Sequence, residues 1–257
     1  MTWKPSGFCS ERSIRKMPGM GTLINAAGIV AGGLLGLFIG RFFKEKYQNA
    51  VIQMCGLGTM CLGIAGILEG MLSVDGNKIV SGRALFIILC LIVGVLIGEW
   101  IDLEDKFERF GEWLKKKSGN AKDAKFVDGF VITSLTIGVG AMAILGAIQD
   151  GVRGDYSLLA TKAVIDFVFV MVMTTSMGVG CIFSVIPVAL WQGLVTALSR
   201  LLLPVLTETA LANLSMVGSV LIFCIASNLV FGKRFKVANM LPAIVVAVAA
   251  SFLPFSF

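Results

Sequence analysis

Histidine is absent from all 257 residues of the chain. Its absence removes the commonest protein metal ligand and the side chain that titrates most readily near neutral pH, so it excludes a histidine-based metal or proton site. Charged residues are also scarce, at 15% of the chain, whereas soluble domains carry roughly 25%. The deficit argues against a protein whose whole surface faces water.

Catalytic signatures are missing as well. The chain has no nucleophile paired with a base, no phosphate-binding glycine loop and no cofactor motif. Of the six cysteines, all but Cys9 lie within apolar runs, where a lone cysteine usually acts as a small hydrophobic residue. We therefore expect no enzyme activity, no cofactor, no metal site and no disulfide framework.

Long apolar segments are what the chain does contain. Hydrophobic residues make up 56% of it and the mean hydropathy is +0.88, and an apolar run of about 20 residues is long enough to cross a bilayer as a helix. The sequence predicts an all-α integral membrane protein with a bundle of about eight transmembrane helices. The predicted spans are Gly21–Phe42, Ala50–Leu72, Ile79–Ile101, Phe130–Ile148, Leu158–Gly180, Val185–Leu206, Ser215–Phe231 and Val237–Leu253.

The basic residues predict the orientation of these spans. Thirteen lysines and arginines fall in the loops on one side and five on the other, not counting residues 1–19. Because cytoplasmic loops carry the excess of positive charge, both termini are predicted to lie outside the cytoplasm. The same anchoring role accounts for the net charge of +6, so we expect the lipid bilayer, and no nucleic acid, as partner.

Two segments stand apart from the spans. Residues 1–19 have no apolar core and carry charges that oppose the predicted orientation, so they are interpreted as a disordered leader or as a misassigned start before Met20. Residues 20–257 then form a single transmembrane domain. Within it, residues 103–126 are predicted to form a cytoplasmic amphipathic helix and loop, because Leu103, Phe107, Phe110 and Leu114 recur at helical spacing.

Several runs in the chain resemble a known family. They are GTLINAAGIVAGGLLG from Gly21, LIGEW ending at Trp100, GAIQDGVRGDYSLLATKAVIDF from Gly146 and VANMLPA from Val237. The resemblance is to the bacterial multi-pass membrane proteins of unknown function typified by YdfK and YqgA, and it covers Met20 to the C-terminus. It implies the fold and a location in the bacterial cytoplasmic membrane, but it supplies no ligand, reaction or functional residues.

Asp166 is the sharpest candidate for a functional residue. A carboxylate in the middle of the apolar run Ala160–Val172 is costly in hydrocarbon, so it must face protein or water. Lys162 lies four residues earlier, where an ion pair within one helix is geometrically available. Two interpretations stay open: a transport or gating role, or a pair that only satisfies itself.

Two clusters of hydroxyl and glycine residues form the second feature. They are Thr133, Ser134, Thr136, Gly138 and Gly140, and then Thr174, Thr175, Ser176, Gly178 and Gly180. Such clusters permit broken helices whose backbone lines a cavity, but they also suit close helix packing. For the four-residue glycine repeat Gly28, Gly32, Gly36 and Gly40, packing is the favoured interpretation.

Further polar side chains fall within or at the ends of spans. Asn25 and Asn239 are candidates for hydrogen bonds between helices or for lining a cavity, and Gln149 and Asp150 lie near the outer interface. Three glycine-to-polar stretches, starting at Gly58, Gly140 and Gly218, also suggest internal repeats of the kind that transporters show. Chance similarity between glycine-rich helices is the alternative.

These features lead to two hypotheses about function. The first is a secondary transporter or channel for a small ion or polar metabolite, centred on Asp166 and the glycine-rich breaks, with a homo-oligomer left open. The second is a non-transporting membrane assembly or sensory protein whose intramembrane charges are structural. A polar cavity that reaches Asp166 favours the first hypothesis, whereas a closed, paired Asp166 favours the second.

Overall fold

The computed structural model of the protein describes residues 18–75 and 78–252, and most of this length is helical. In chain order the α-helices are α1 (Met20–Gly40), α2 (Glu45–Met71), α3 (Ala84–Ile101), α4 (Leu103–Lys117), α5 (Phe126–Gly138), α6 (Ala141–Arg153), α7 (Ser157–Met177), α8 (Val185–Ala197), α9 (Ser199–Leu202), α10 (Glu208–Phe231), α11 (Val237–Met240) and α12 (Pro242–Ala250). A 3-10 helix, Val179–Ser184, joins α7 to α8. The predicted leader, residues 1–19, lies outside the described residues except for its last two.

The helices confirm an all-α membrane bundle. In the described part of the chain, six helical segments are long and apolar enough to cross a membrane: α1, α2, α3, α7, the 3-10 helix with α8, and α10. Taking α5 and α6 as one span bent by 63° makes seven. The eighth predicted span forms only the short apolar segment Val237–Ala250, about 20 Å long, which is less than the roughly 30 Å of a hydrocarbon core.

The predicted start of the third span at Ile79 is wrong. Strands β1 (Leu72–Asp75) and β2 (Lys78–Ser81) pair antiparallel, with Ile79 opposite Val74, and α3 begins only at Ala84. The physical reason is that a short apolar run such as Ile79–Val80 does not distinguish a strand from a helix. Arg83, in the left-handed region at φ 63°, then separates the hairpin from α3.

Close packing between α1 and α7 holds one half of the bundle together. Each glycine of the four-residue repeat faces a backbone carbonyl of α7: Gly28 faces Ala163, Gly32 faces Phe167, Gly36 faces Met171 and Gly40 faces Thr175. Both series advance in the same direction, so the two helices run parallel. The glycine repeat is therefore a helix-packing surface, and its partner is a helix of the same chain.

The other half of the bundle uses antiparallel pairs. On α2, Gly63 meets the backbone of Phe223 and Gly70 meets Met216, which lie in reverse order on α10. On α3, Gly94 and Gly98 meet Ala243 and Asn239 at the start of the last apolar segment. Small residues thus bring three pairs of backbones close together, as expected between helices in lipid.

Helix α4 lies across one end of the bundle. Phe107 and Phe110 place their ring centroids 5.7 and 5.8 Å from that of Phe130 on α5, and Lys117 lies over the ring of Trp113. The predicted amphipathic helix is thus present, and it ends at Lys117. We call this end, formed by α4 and the loop between α10 and α11, the basic end.

Candidate functional site

A buried ion pair lies midway along α7. Lys162 Nζ donates a hydrogen bond to Asp166 Oδ2, and the two side chains are only 8% and 4% exposed. Asp166 lies about 14 Å from the start of a helix about 31 Å long, at 1.5 Å per residue. The pair is therefore inside the bundle and far from either end of α7.

Two amide side chains from other helices adjoin this pair. Asn25 Nδ2 on α1 donates to Gln192 Oε1 on α8 at 3.1 Å, and the Asn25 amide also interacts with the Asp166 carboxylate. Both amide side chains are almost fully buried. We call Lys162, Asp166, Asn25 and Gln192 the central polar cluster.

Helix packing explains why these residues meet. The contact of Gly28 with Ala163 sets α1 alongside α7, which places Asn25, one turn earlier, beside the turn that carries Lys162. Helix α8 runs opposite to α1, since Thr22 Oγ1 lies 3.4 Å from Thr196 Oγ1 on the far side of the Asn25–Gln192 contact.

The central polar cluster is not internally satisfied. Asn25 Oδ1 and Gln192 Nε2 make no hydrogen bond to any described residue, although both atoms are buried. Leaving such a group unpaired costs about 1–3 kcal/mol, so an unpaired acceptor and an unpaired donor beside an ion pair require an explanation. Together they can receive a ligand that offers one donor and one acceptor.

Asp150 caps the N-terminus of α1. Its Oδ2 accepts hydrogen bonds from the backbone N–H of Gly21 at 2.9 Å and of Gly19 at 3.1 Å. Because the first turn of a helix has free N–H groups and a partial positive charge, this carboxylate caps α1. Gln149 is only half-buried, and its carbonyl receives the Asp155 N–H in the turn after α6. Neither residue belongs to the central polar cluster.

An apolar layer follows the cluster toward the basic end. Ile29 lies one turn beyond Asn25, Val170 one turn beyond Asp166, and Val188 one turn beyond Gln192, and all three belong to one buried cluster. We call these three residues the apolar layer. It closes the central polar cluster on that side.

Hydroxyl groups lie beyond the apolar layer. Thr133 on α5 and Thr174 on α7 place their side chains near the Cys181 thiol, and neither hydroxyl makes a hydrogen bond to a described residue. Thr136 and Thr175 instead donate to the carbonyls of Ile132 and Val172 in their own helices. The structure therefore separates the hydroxyls within each of the two predicted clusters.

The two glycine clusters differ: the first interrupts a span, which is one of the two interpretations that the sequence leaves open, whereas the second lies at the end of an unbroken span. Helix α5 ends at Gly138, and Gly140, at φ 152°, precedes α6. Gly178, at φ 80°, ends α7 before the 3-10 helix. Gly180 has a packing role instead, because a Cβ there would overlap the carbonyl of Phe126.

A cavity of about 300 Å³ opens at the basic end. It is lined by Glu104, Glu108, Asp128 and Lys233, and Met177 on its wall belongs to the same buried cluster as the apolar layer. A larger groove between α2 and α7 is almost wholly apolar. Neither space is lined by Asp166 or Lys162. Among the described residues, no group of three or more cysteine, aspartate and glutamate side chains could hold a metal ion.

Ion pairs at the basic end tie α4 to the loop between α10 and α11. Lys233 Nζ lies 3.1 Å from Glu104 Oε1 and also pairs with Glu108. Burial opposes the charge of Lys233, but its hydrogen bonds to Glu108 and Glu104 outweigh burial and raise its pKa. Asn239, predicted as a candidate for the transport site, lies here, where its Oδ1 accepts the Glu104 N–H at 2.7 Å. It anchors the start of α4 and lies away from Asp166.

Gln192 is the functional candidate that the sequence alone does not single out. It is an uncharged residue in the apolar run Val185–Leu206, where a lone amide is far less costly than a charge. Its isolation in that run was the available signal. Only the packing of α8 against α1 shows that it faces Asn25.

Comparison with known proteins places the whole bundle in one family. Residues 20–252 match the family described as "Protein of unknown function (DUF554)". The chain is 24% identical to the uncharacterized membrane protein YdfK of Bacillus subtilis (strain 168), over 92% of this chain and 97% of YdfK. It is 26% identical to the uncharacterized protein YqgA of Escherichia coli (strain K12), over 90% of this chain and 96% of YqgA. No solved structure matches the chain.

Proposed function

We propose that this chain, which belongs to the family of proteins of unknown function DUF554, is a secondary transporter or channel for a small ion or polar metabolite. The proposed site is the central polar cluster, contributed by α1, α7 and α8. It is a site of binding and passage and not of catalysis.

The observation that carries the proposal is the pair of unsatisfied amide atoms beside a buried ion pair. Asn25 Oδ1 and Gln192 Nε2 have no hydrogen-bond partner among the described residues, and they belong to two hydrogen-bonded amides, of which Asn25 also interacts with Asp166. A buried ion pair stabilises a fold no better than well-packed apolar residues do. A purely structural role therefore gives little reason to keep four polar side chains there.

The surroundings of the site support a protein that changes shape. The span formed by α5 and α6 is broken at Gly138–Gly140, where the two helices bend by 63°, and discontinuous helices near the midplane are typical of transporters. The apolar layer separates the cluster from the cavity at the basic end. The structure fits a closed state, in which the site is sealed on that side.

One observation favours the rival function, a membrane assembly or sensory protein. Asp166 is paired with Lys162, and neither described cavity reaches it. A closed pair of this kind also fits a structural role.

Solute flux distinguishes the two functions. The purified protein is placed in sealed proteoliposomes and tested with a panel of ions, amino acids and amines against protein-free vesicles. Uptake of any member by the parent protein, and its loss in Asp166→Asn, supports transport. If the folded parent moves no member of the panel, the rival function is favoured.

The proposed setting is the bacterial cytoplasmic membrane, with both termini outside the cytoplasm. This orientation requires the short segment Val237–Ala250 to complete an eighth crossing, because seven crossings leave the two termini on opposite sides. Single cysteines introduced at position 76 and after residue 252, in a chain otherwise free of reactive cysteine, would be tested with a membrane-impermeant thiol reagent. We expect labelling from outside at both positions because the basic end belongs in the cytoplasm. Labelling only from the cytoplasmic side at either position contradicts this orientation.

A further inference from the structure

The charged groups and the unpaired hydrogen-bonding atoms of the central polar cluster are balanced. It holds one carboxylate and one ammonium, at Asp166 and Lys162, together with one unpaired acceptor, Asn25 Oδ1, and one unpaired donor, Gln192 Nε2. All four side chains are more than nine-tenths buried. The cluster therefore offers two acceptors and two donors and has a net charge of zero.

We infer that the ligand of the central polar cluster is a small zwitterion, with an ammonium and a carboxylate on one short carbon skeleton. This inference rests on the proposed transport function and narrows its substrate class. The ligand ammonium is received by Asp166 and Asn25 Oδ1, and the ligand carboxylate by Lys162 and Gln192 Nε2. In the closed state the ion pair satisfies itself in place of the ligand.

Charge balance is the first argument. A charged group is costly to desolvate unless the site supplies an opposite charge. A lone cation next to Asp166 would also meet the Lys162 ammonium, and a lone anion next to Lys162 would meet the Asp166 carboxylate. A zwitterion brings both charges, and the site stays neutral when it binds.

The surrounding charges leave this balance intact. The nearest further carboxylate, Asp150, is bound by the N–H groups of Gly19 and Gly21 at the positive end of α1. The charged groups at the basic end lie beyond the apolar layer. The N–H groups of Gly19 and Gly21 thus engage Oδ2 of Asp150, whereas its Oδ1 is buried without a hydrogen bond to a described residue. Among the described residues, no hydrogen bond or ion pair joins Asp150 to the Lys162–Asp166 pair.

Side-chain lengths give the second argument. Asp166 is short and interacts with Asn25, whereas Lys162 reaches its partner through a flexible four-carbon chain. The ammonium of Lys162 can therefore move aside while the carboxylate stays in place. When the Lys162 ammonium moves away, the ion pair with Asp166 is broken. A ligand with both an ammonium and a carboxylate gives each of these two side chains a new partner of opposite charge.

The test uses four solutes of nearly equal shape that differ only in charge. They are L-alanine (zwitterion), L-lactate (anion), L-alaninamide (cation) and L-lactamide (neutral), each offered singly to proteoliposomes that contain the full chain. The two-carbon series of glycine, glycolate, glycinamide and glycolamide repeats the comparison at smaller size. We expect the zwitterion to enter at least about tenfold faster than its three analogues. Lactate and alaninamide each leave one buried charge without its partner, and lactamide brings no charges that could replace the contact between Lys162 and Asp166.

Charge variants of the site give the sharper readout. Asp166→Asn leaves Lys162 unopposed, so the preference should shift from alanine toward lactate, and Lys162→Gln should shift it toward alaninamide. The double variant Lys162→Gln/Asp166→Asn restores neutrality and should no longer prefer alanine to lactamide. It also keeps the inference testable if either single variant does not fold. Glu99→Gln/Lys236→Gln, which removes an exposed pair at the basic end, is the matched control and should keep the preference of the parent.

The outcomes separate the two proposals. Preferred uptake of lactate, alaninamide or lactamide by the parent overturns the zwitterion inference and leaves the transport function standing. Preferred uptake of alanine that persists in both single variants overturns the assignment to this cluster. If sealed vesicles with folded protein take up none of the eight solutes or the wider panel of ions, both proposals fail.

Discussion

Two regions of this molecule hold ion pairs, and their surroundings differ. In the central polar cluster, Lys162 and Asp166 are 8% and 4% exposed, and the adjoining amides keep unpaired atoms. At the basic end, the Lys233 side chain is 53% exposed, and Glu104 is also bound to the Ala238 N–H at 2.9 Å. The first region is buried throughout and keeps two unpaired amide atoms. The second is exposed at Lys233 and Glu108 and is tied to the backbone through Glu104 and Asn239, although Asn239 Nδ2 is also buried without a hydrogen bond to a described residue.

The comparison shows that an ion pair must be interpreted from its neighbours. At the basic end, Asn239 and Glu104 exchange hydrogen bonds with the backbone across the junction of α4 and α11, so the charges fasten two elements together. In the central polar cluster, both charges lie on one helix, so the ion pair itself fastens no second element to α7, and only the contact of Asp166 with Asn25 reaches α1. We therefore expect the ion pairs at the basic end to hold α4 against the bundle, and the central polar cluster to carry the transport function.

The largest expected effect comes from removing one member of the buried pair. Asp166→Leu leaves the Lys162 ammonium buried without a partner and should lower the free energy of unfolding by about 3–5 kcal/mol. The double variant Lys162→Met/Asp166→Leu should recover most of that loss because no charge remains. Unfolding in detergent by a denaturing surfactant measures both values. A double variant as unstable as Asp166→Leu would mean that the pair itself holds the fold.

An intermediate effect is expected at the glycines that support each region. A Cβ at Gly32 would overlap the Phe167 carbonyl, which is backbone and cannot move aside, so Gly32→Ala should cost about 1–3 kcal/mol of stability. At the basic end, a Cβ at Gly111 would lie 2.9 Å from the Phe130 ring, which can shift. Gly111→Ala should therefore stay within about 1 kcal/mol of the parent, since alanine favours the helix. Equal losses at both glycines, in the same unfolding assay, would contradict this contrast.

The smallest effect is expected at the basic end itself. Lys233→Met should cost less than about 1 kcal/mol because the pair is half-exposed and screened by solvent. The pKa of Lys233 is raised in the folded protein. The stabilisation of the fold by its ion pairs should therefore be complete below about pH 10.4, the pKa of lysine in the unfolded chain, and be lost as the pH rises through the higher pKa of the folded protein.

The measurement for Lys233 is the difference in unfolding midpoint between the parent and Lys233→Met across this alkaline range. Lys106→Met, on an exposed lysine of α4, is the matched control and should give no such step. If the difference in unfolding midpoint between the parent and Lys233→Met grew with pH, folding would lower the pKa of Lys233 and not raise it.

The sequence predicts best those features that would be energetically costly in lipid, such as a charged side chain within an apolar span. The spacing of Lys162 and Asp166 predicts their pairing because a charge in hydrocarbon must find a partner. The glycine and hydroxyl clusters leave broken helices and close packing open; the structure has a break at Gly138–Gly140, where glycine permits the required backbone angles, whereas Gly178 ends α7. The glycine repeat of α1 predicts a packing face, although not that α7 is its partner.

The features that depend on tertiary contact escaped prediction. Gln192 joins the cluster only because α8 returns antiparallel to α1, and no local pattern specifies that arrangement. For Asn239 the sequence leaves open a hydrogen bond between helices or a place in a cavity wall, and only the fold decides, because the short final helices place it against the start of α4, where its Oδ1 accepts the Glu104 N–H. The hairpin of β1 and β2 escaped because a short apolar run such as Ile79–Val80 fits a strand and a helix equally well.

The most direct test of the account compares the two regions by flux. The solute that the parent protein carries is offered to proteoliposomes containing Asp166→Asn or Glu108→Gln, after size-exclusion chromatography and thermal unfolding have shown that both variants are folded. We predict that Asp166→Asn reduces uptake of that solute to the level of protein-free vesicles, whereas Glu108→Gln transports like the parent. A folded Asp166→Asn protein that transports the solute like the parent would contradict the functional role of the central polar cluster.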